Sequence, residues 1–411
     1  MQTKTFEPGD KVSLKTRTKL WQGHILESHD PEIILLKLES GYNIGIRESE
    51  IMAASVIEKS KPLEKKPFEL KKSPKLPNVA LIMTGGTISS RLDPKSGAVI
   101  PTDAEEILKI APKISEICNI TKIEKPFLKF SEDMGWHDWK ILAEVSEKFL
   151  NDQEIDGIII THGTDTLHYT GAALSFFIKD LNKPIALTYS QRSIDRASTD
   201  ASLNLICAAK YAVSDIAEVA LIGHKDTNDG VCIAIPGLSA RKMHTSERAT
   251  FKAINDTPIA EISESHFKIL KEFNAKDKER KAKLDAKYST NVAIIKVHPS
   301  LDPQIIEHYV EEGYKGLILE TTGLGHVPGK NSENNWLPKI KKAITNDKIT
   351  ICATAQTIYG HLNPKVYSSG RELEDTGIIF ASIMTSESAF VKLGWILGHK
   401  TWNPKEKMLE K

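Results

Sequence analysis

From residue 77 onward, short apolar runs alternate with stretches whose apolar residues fall at helical spacing. Strands buried on both faces read as continuous apolar runs, and helices connect neighbouring parallel strands. This alternation predicts an α/β fold built on parallel sheets. The predicted helices include 139–150 and 171–179. The predicted strands are Val79–Met83, Ile155–Ile160, Pro184–Thr188, Val219–Ile222, Asn291–Val297, Gly316–Leu319 and Ile349–Ala353.

The first 60 residues have a different pattern, in which apolar and polar positions alternate over short segments. Lys11–Lys15 alternates, Ile33–Leu38 is a solid apolar run, and Gly, Pro, Asp and Ser residues supply turns between the segments. Such segments with frequent turn residues are typical of short antiparallel strands. Residues 1–60 are therefore predicted to form five short strands arranged as a small β-barrel.

Two stretches of unusual composition divide the chain into domains. Residues 61–76 are rich in lysine and proline, which keep a segment solvated and prevent a helix. Residues 274–290 consist mostly of charged and small side chains, so they are predicted to form an exposed helix or linker. The predicted organisation is a barrel at 1–60, an α/β domain carrying the active site at 77–273, and a second α/β domain at 291–411.

Charge and cysteine content exclude several classes of protein. The chain has 55 Lys and Arg against 54 Asp and Glu, which excludes a histone-like polycation and an acidic disordered chain. The 4 cysteines lie far apart without a CxxC pair, so no zinc site is predicted and a reducing compartment is favoured. Residues 1–10 lack the apolar core of a signal peptide, and no apolar run is long enough to span a membrane. We therefore expect a cytoplasmic protein that does not bind membranes.

Glycine and hydroxyl side chains follow the first predicted strand of the parallel sheet, in Thr84-Gly85-Gly86-Thr87. Open parallel sheets bind ligands beyond the carboxyl ends of their strands. Paired glycines allow a tight turn and a close approach of the backbone to a ligand. By itself this loop is compatible with a phosphate-binding nest, a catalytic loop or an ordinary turn.

A second loop rich in hydroxyl side chains, Thr161–Thr166, follows the next predicted strand and contains His162, Gly163, Thr164 and Asp165. Asp165 alone is equally well explained as a cap of the helix that follows. Because both loops follow strands of one parallel sheet, we expect them to face the same crevice. Together the two loops indicate a ligand or catalytic site more strongly than either does alone.

The two loops resemble the motifs of bacterial-type L-asparaginases, in which Thr-Gly-Gly-Thr-Ile follows one strand and His-Gly-Thr-Asp-Thr follows another. Ser131–Met134 resembles the loop of that family that binds the substrate carboxylate, and Arg241–Ser246 falls where the family carries its catalytic lysine. The resemblance covers residues 76–398. It implies an α/β fold of two asparaginase-like parallel-sheet domains, which the predicted N-terminal β-barrel precedes.

Further features resemble one branch of the family, the D subunits of archaeal glutamyl-tRNA(Gln) amidotransferases. Free-standing asparaginases usually lack a β-module ahead of the first strand, whereas one precedes it here, and Gly323–Val327 and Tyr367–Glu372 match the branch. The resemblance implies a subunit that generates ammonia from glutamine or asparagine for the conversion of Glu-tRNA(Gln) to Gln-tRNA(Gln). It also implies a homodimer that joins a second subunit in a heterotetramer. ATP, Mg²⁺ and most tRNA contacts are expected on that second subunit, and no cofactor or metal on this chain.

The resemblance also implies catalytic roles for four residues. Thr87 would be the nucleophile that attacks the amide carbon, releasing ammonia and leaving an acyl-enzyme. A threonine hydroxyl is a weak nucleophile until a neighbour removes its proton. Thr164, Asp165 and Lys242 would form the proton relay that does so.

Substrate-binding roles follow from the same resemblance. Ser131 would hold the α-carboxylate of the substrate and Asp165 its α-amino group. Backbone N–H groups around Gly86 and Gly163 would stabilise the oxyanion. The second loop therefore supplies both catalytic and substrate-binding groups.

The sequence departs from the asparaginase pattern in two places. No tyrosine occurs between Ser89 and Pro101, where the family has a loop tyrosine that assists the nucleophile, and Glu132 replaces a glutamine found in many asparaginases. Two other functions are compatible with the sequence. One is a free-standing L-asparaginase with an unrelated N-terminal appendage, and the other is a catalytically silent scaffold that docks RNA or protein.

Overall fold

A computed structural model describes the protein in three units: an N-terminal antiparallel sheet and two α/β lobes. No helix within the described residues is long and apolar enough to cross a membrane. Most of the linker predicted at 61–76 lies outside the described residues. The described residues are 6–59 apart from 27, 29, 31, 40 and 41, and 73–410 apart from 93–98, 102, 103 and 197.

The N-terminal unit contains the five short strands that the alternating pattern predicts. They are β1 Lys11–Lys15, β2 Leu20–Leu26, β3 Ile33–Leu38, β4 Asn43–Arg47 and β5 Ala53–Glu58. The strands pair in the order β4-β3-β2-β1-β5, and all pairs are antiparallel. Within the described residues β4 and β5 do not pair, so the barrel is open between them. Its core consists of Val12, Leu14, Ile25, Leu36 and Ile46.

The first lobe is an eight-stranded sheet with helices on both faces and short two-stranded ladders beside it. Its helices are α1 Ala104–Lys109, α2 Ile114–Ile117, α3 Trp136–Leu150, α4 Leu167–Phe177 and α5 Ala201–Ala212. Its strands are β6 Asn78–Met83, β7 Ser90–Leu92, β8 Val99–Pro101, β9 Asn119–Glu124, β10 Gly157–Thr161, β11 Ile178–Lys179, β12 Ile185–Thr188, β13 Val219–His224, β14 Cys232–Pro236, β15 Ala240–Lys242, β16 Phe251–Ala253, β17 Ala260–Ile262, β18 Phe267–Ile269 and β19 Lys283–Leu284.

The strand order of the eight-stranded sheet is β18-β17-β14-β13-β12-β10-β6-β9. The five strands from β13 to β9 are parallel, and β14, β17 and β18 are antiparallel additions. The chain leaves β6 for β9 on one side and then returns to β10 on the other. A reversal of strand order opens a crevice at the carboxyl ends of the two central strands. Here the crevice lies between β6 and β10.

The second lobe is a four-stranded parallel sheet with helices around it. Its strands are β20 Val292–Lys296, β21 Gly316–Thr321, β22 Thr350–Ala355 and β23 Ile379–Phe380. Its helices are α6 Gln304–Glu311, α7 Leu337–Thr345, α8 Ser368–Glu374, α9 Ser386–Leu397 and α10 Pro404–Leu409. The strands follow one another in chain order, so this sheet has no reversal of strand order.

The two lobes share one hydrophobic core. It joins buried residues of the first sheet and of α3 and α4, among them Leu174 and Phe177, to residues of α9 such as Leu393 and Trp395. A second core lies on the opposite face of the first sheet, against α5. Because α9 packs against α4 from the other lobe, residues of α9 reach the part of α4 that follows the second hydroxyl-rich loop.

All seven strands predicted from apolar runs are present, with ends that differ by a few residues. Helix α3 begins at Trp136, three residues before the predicted start, because the Asp138 carboxylate accepts a hydrogen bond from the Gly135 N–H at 2.9 Å. Helix α4 begins directly after the second loop, at Leu167. The antiparallel strands β14, β17 and β18 were not among the predicted elements.

The segment 274–290 contains no helix, although the structure describes all of it. It runs in extended form along the first lobe, where the Asp277 N–H donates to Asn182 O and the Asp285 N–H donates to Phe177 O. Strand β19 within it pairs with β11. Backbone hydrogen bonds to the first lobe therefore hold in place a segment whose composition suggests only solvent exposure.

Candidate active site

The loop after β6 places Thr87 at the reversal of strand order. Gly85 and Gly86 have φ of +108° and +76°, a conformation that L side chains rarely adopt. A short 3-10 turn, Thr87–Ser89, follows them, and Thr87 is half-buried. The two positive φ values therefore require the paired glycines that the sequence places here.

The loop after β10 lies directly against this first loop. The Thr84 hydroxyl donates to Thr161 O at 2.9 Å, which ties the ends of the two strands together. A Cβ added to Gly86 would lie 2.4 Å from the Cα of Gly163. Real Cβ atoms do not approach a backbone atom this closely, so only glycine fits at position 86. The two loops are therefore in contact with each other, and a common crevice stays a prediction.

Lys242 reaches the second loop from strand β15, which pairs with β16. Its Nζ donates to Thr164 Oγ1 at 2.9 Å and to Asp165 Oδ1 at 2.6 Å. The side chain of Lys242 is 13% exposed and that of Asp165 is 58% exposed. The three residues predicted to form a proton relay are thus in direct contact, with the amine shielded from water and the carboxylate open to the crevice.

Ser131 is buried beneath the second loop. Its Oγ accepts a hydrogen bond from the Asp165 N–H at 3.0 Å, and its carbonyl oxygen accepts one from the Thr166 hydroxyl at 2.6 Å. A Cβ on Gly163 would meet Ser131 Oγ at 2.8 Å. Ser131 therefore holds the loop that carries Asp165, and its predicted contact with a substrate carboxylate stays a prediction.

His162 in the second loop is fully buried, and burial lowers its pKa to about 4. Its Nδ1–H donates to Gly163 O at 2.7 Å. The neutral ring then accepts at Nε2 from the Thr170 hydroxyl, with 2.9 Å between the two atoms. His162 is therefore uncharged, and its hydrogen bond to Gly163 O holds the backbone of the loop in place.

Three side chains without a predicted role, Arg241, His168 and Glu387, form a cluster at strand β15. Arg241 Nε is 3.3 Å from Glu387 Oε1, and His168 Nε2 is 3.9 Å from the same oxygen. The pKa of His168 falls to about 3 through burial and the positive charges of Arg241 and Lys242. The adjacency of Arg241 to Lys242 was visible in the sequence, but Glu387 belongs to the other lobe and gave no signal.

Residues 93–98, within the stretch where the family carries the assisting tyrosine, lie outside the described residues. Within the described residues, no group of three or more His, Cys, Asp or Glu side chains has an arrangement that could hold a metal ion. All four cysteines are buried free thiols. The side chains brought together by the two loops are hydroxyl, amine and carboxylate groups, which suit proton transfer to and from a nucleophile.

Three family models match the chain. "Asparaginase, N-terminal" matches residues 78–274, and "Glutaminase/Asparaginase C-terminal domain" matches residues 291–408. "GatD N-terminal domain" matches residues 6–57. The first two models cover the two lobes, and the third covers the N-terminal sheet.

Curated relatives match nearly the whole chain, and each is named as the D subunit of a glutamyl-tRNA(Gln) amidotransferase. The relative from Thermococcus kodakarensis is 45% identical over 90% of this chain and 83% of its own length. The relative from Pyrococcus furiosus is 42% identical over 96% of this chain and 88% of its own length. The relative from Methanococcus maripaludis is 39% identical over 98% of this chain and 96% of its own length.

Solved structures of L-asparaginases superpose on the two lobes. The thermostable L-asparaginase of Thermococcus kodakarensis has a TM-score of 0.71 and 27% identity, covering 81% of this chain and 97% of its own. L-asparaginase I of Vibrio cholerae has a TM-score of 0.69 and 26% identity, covering 82% of this chain and 98% of its own. The predicted two-domain parallel-sheet fold is thereby confirmed.

Proposed function

The chain belongs to the family of glutamyl-tRNA(Gln) amidotransferase D subunits, and from that membership we propose that it generates ammonia by hydrolysing the side-chain amide of glutamine or asparagine. Membership confirms the resemblance that the two hydroxyl-rich loops indicate. The observation that carries the proposal is the Lys242 amine, bonded to Thr164 and Asp165 beside the loop of Thr87. The ammonia would serve the conversion of Glu-tRNA(Gln) to Gln-tRNA(Gln).

In the proposed reaction, the hydroxyl oxygen of Thr87 attacks the amide carbon. Thr164 and Lys242 take up the proton of the hydroxyl, and Asp165 balances the charge of the lysine that receives it. The C–N bond then breaks, the nitrogen takes up the proton that Lys242 received and leaves as ammonia, and an ester on Thr87 remains. Water hydrolyses the ester and restores the hydroxyl.

The second loop supplies the binding groups in this scheme. Asp165, with 58% of its side chain exposed, would accept hydrogen bonds from the substrate's α-ammonium group. Ser131 and the backbone of Gly163 would face the α-carboxylate and the reacting carbonyl. N–H groups around Gly86 and Gly163 would donate to the oxyanion as it forms.

The proposed assembly is a homodimer of this chain joined by a second subunit in a heterotetramer. That subunit would bind Glu-tRNA(Gln), ATP and Mg²⁺ and transfer the ammonia, while this chain would carry no cofactor of its own. The support for a partner is the name of the relatives, which assigns them to one subunit of a larger enzyme. A cytoplasmic location follows from the tRNA substrate of the proposed reaction.

A free-standing L-asparaginase is the second candidate function. The observation in its favour is that nearly the full length of two L-asparaginases superposes on the two lobes of this chain. The superpositions cover 81% and 82% of this chain, and residues 6–57, which form the N-terminal sheet, match the family model of the D subunits. This difference favours the amidotransferase subunit.

Ammonia release from asparagine and from glutamine separates these candidates. The purified chain is assayed alone and then with the second subunit, ATP, Mg²⁺ and Glu-tRNA(Gln), with Thr87→Ala as the control. We expect little release by the chain alone and a strong increase on assembly. Rapid release from asparagine by the chain alone would support the free-standing asparaginase, and no Thr87-dependent release under any condition would support a silent scaffold.

A further inference from the structure

The carbonyl oxygen of Gly86, the residue before the proposed nucleophile, accepts two hydrogen bonds. The Ser89 N–H donates to it at 3.0 Å and closes the 3-10 turn Thr87–Ser89. The Ser90 hydroxyl donates to the same oxygen at 2.7 Å. Ser90 is 3% exposed, so this bond is largely shielded from water. Both acceptor positions of the carbonyl oxygen are thus filled by the turn that follows it.

The neighbouring serine uses its hydroxyl differently. Ser89 is fully buried, and its Oγ lies 3.1 Å from Thr161 Oγ1 at the end of β10. That contact joins the turn to the neighbouring strand. The Ser90 hydroxyl instead bonds back to Gly86 O, which the Ser89 N–H already satisfies. The second bond is therefore not needed to close the turn, and its effect lies in the peptide group that it holds.

The peptide group between Gly86 and Thr87 is trans, so its C=O and N–H point in opposite directions. With the carbonyl held by the turn, the Thr87 N–H points away from the turn. As the first N–H of the turn it has no acceptor within it, and elsewhere among the described residues it has no hydrogen-bond partner. Hydrogen bonds to the carbonyl oxygen also polarise the peptide and strengthen its N–H as a donor. The N–H is therefore oriented, unpaired and polarised, as an oxyanion donor must be.

Resting on the proposed function of Thr87, we propose that Ser90 is a positioning residue of the reaction. Its hydroxyl fixes the peptide between Gly86 and Thr87, so that the Thr87 N–H can donate to the oxyanion that forms when Thr87 attacks. Gly86 packs against Gly163, so the fixed peptide also borders the second loop. Ser90 acts on the reaction through this peptide.

The first test compares Ser90→Ala with Ser89→Ala in the full chain, assembled with the second subunit, ATP, Mg²⁺ and Glu-tRNA(Gln). Each variant loses one buried hydroxyl of the same turn, so both should unfold at a lower temperature. Ser90→Ala should lower kcat for ammonia release about tenfold, less than the roughly hundredfold loss expected when an oxyanion donor is removed outright. KM should be unchanged in both variants, because the oxyanion exists only after attack. Ser89→Ala should keep the wild-type kcat.

A second measurement follows the peptide itself and does not need activity. The sequence contains two Gly-Thr pairs, 86–87 and 163–164. Cell-free synthesis with glycine labelled with ¹³C at its carbonyl carbon and threonine labelled with ¹⁵N therefore gives two correlated signals. Thr87→Ser removes the signal of the first pair and so identifies it. Because a hydrogen bond to its oxygen is lost, the Gly86 carbonyl signal should move upfield in Ser90→Ala, while the Gly163 signal stays in place.

Two outcomes would overturn the inference. One is an equal kcat for Ser90→Ala and Ser89→Ala, and the other is an unmoved Gly86 carbonyl signal in Ser90→Ala. The expected carbonyl shift without any Thr87-dependent ammonia release by the wild-type assembly would instead count against the proposed function.

Discussion

The two lobes end their central parallel strands in much the same way. In the first lobe, the Thr84 hydroxyl donates to Thr161 O at 2.9 Å, and in the second the Thr321 hydroxyl donates to Thr354 O at 2.8 Å. Glycines with positive φ follow in both lobes, Gly85 and Gly86 in one, Gly323 and Gly325 in the other. Threonine followed by glycine at the end of a strand is therefore a structural device of both sheets.

The two lobes differ in the order of their strands, and this difference decides which lobe can hold a candidate site. Among the described strands, the order reverses between β6 and β10 in the first sheet and nowhere in the second, so a crevice at the carboxyl edge is expected for the first sheet. At the second sheet, the Gln356 side-chain amide donates to Glu320 O at 2.7 Å and also to Val297 O, which bridges the strand ends. Both lobes have the threonine–glycine motif at their strand ends. Within the described residues, only in the first lobe does a lysine from a separate strand, Lys242 of β15, contact the loop that follows such a strand end.

The largest expected effect on ammonia release is that of Lys242→Gln in the first lobe, compared with Lys392→Gln in the second. Lys242→Gln should lower the rate of ammonia release about a thousandfold, the order of magnitude of general acid–base catalysis. Lys392→Gln should retain the rate, because Lys392 donates to the carbonyl oxygens of Met408 and Glu410, where it joins α9 to the end of the chain. Its loss should appear as a lower melting temperature. A Lys242→Gln protein within tenfold of the wild-type rate would remove Lys242 from the proposed relay.

Two glycine-to-alanine substitutions distinguish the free-energy cost of a positive φ from the cost of a steric clash between the two loops. Gly86 and Gly313 both have positive φ, +76° and +82°, but an added Cβ would collide with Gly163 in the first case and meet open space in the second. Gly313→Ala should cost about 1 kcal/mol of unfolding free energy, for conformation alone. Gly86→Ala should cost about 3 kcal/mol or more, because overpacking adds to strain. Urea unfolding measures both, and equal costs would contradict the contact between the two loops.

Acid should destabilise the first lobe through its buried histidine. The pKa of His162 is about 4 in the folded protein, below the ordinary value, so the unfolded state binds more protons as the pH falls below about 6.5. Its stabilising contribution is complete above that pH and about 2 kcal/mol smaller at pH 5. His162→Gln should flatten the fall in unfolding free energy between pH 7 and pH 5 by this amount. The exposed His137→Gln is the control, and an unchanged slope in His162→Gln would refute the assignment.

Removal of residues 1–72 should have the smallest effect on the lobes. The truncated chain keeps the two hydrogen bonds that join residue 73 to the first lobe. The Ser73 N–H donates to Asn119 Oδ1 and the Asn119 side-chain amide donates to Ser73 O, both at 2.8 Å. The N-terminal sheet has its own core, separate from those of the lobes. We expect the melting temperature of the truncated chain to change by only about 2 °C. Insoluble protein would show that the lobes depend on the N-terminal sheet.

Much of the fold could be predicted because its signals are local. The seven apolar runs are strands, and the two loops meet as their positions on one parallel sheet require. The three antiparallel strands β14, β17 and β18 were missed because they are short and their pairing depends on neighbours that no local pattern reveals. The segment 274–290 is exposed or half-exposed except at Ala282, as its composition predicts, but its backbone hydrogen bonds to the first lobe could not be predicted for the same reason.

The candidate site also has residues that the sequence could identify and contacts that it could not. Thr87, Thr164, Asp165 and Lys242 stand in motifs that a resemblance can identify one by one. Their roles stay predictions, but their arrangement is now concrete, since Lys242 contacts two of them directly. The ion pair between Glu387 and Arg241 could not be predicted, because Glu387 stands in no motif and reaches Arg241 only through the packing of α9 on α4.

The sequence by itself determined the periodicities, the paired glycines and the chemical groups at the strand ends, because these depend on neighbours along the chain. The tertiary structure alone decided which strand end became a crevice, since that follows from the order in which β6, β9 and β10 pair. It also decided which charges surround Lys242. Electrostatic effects depend on distance and burial, and those two quantities are set by the packing of one lobe against the other.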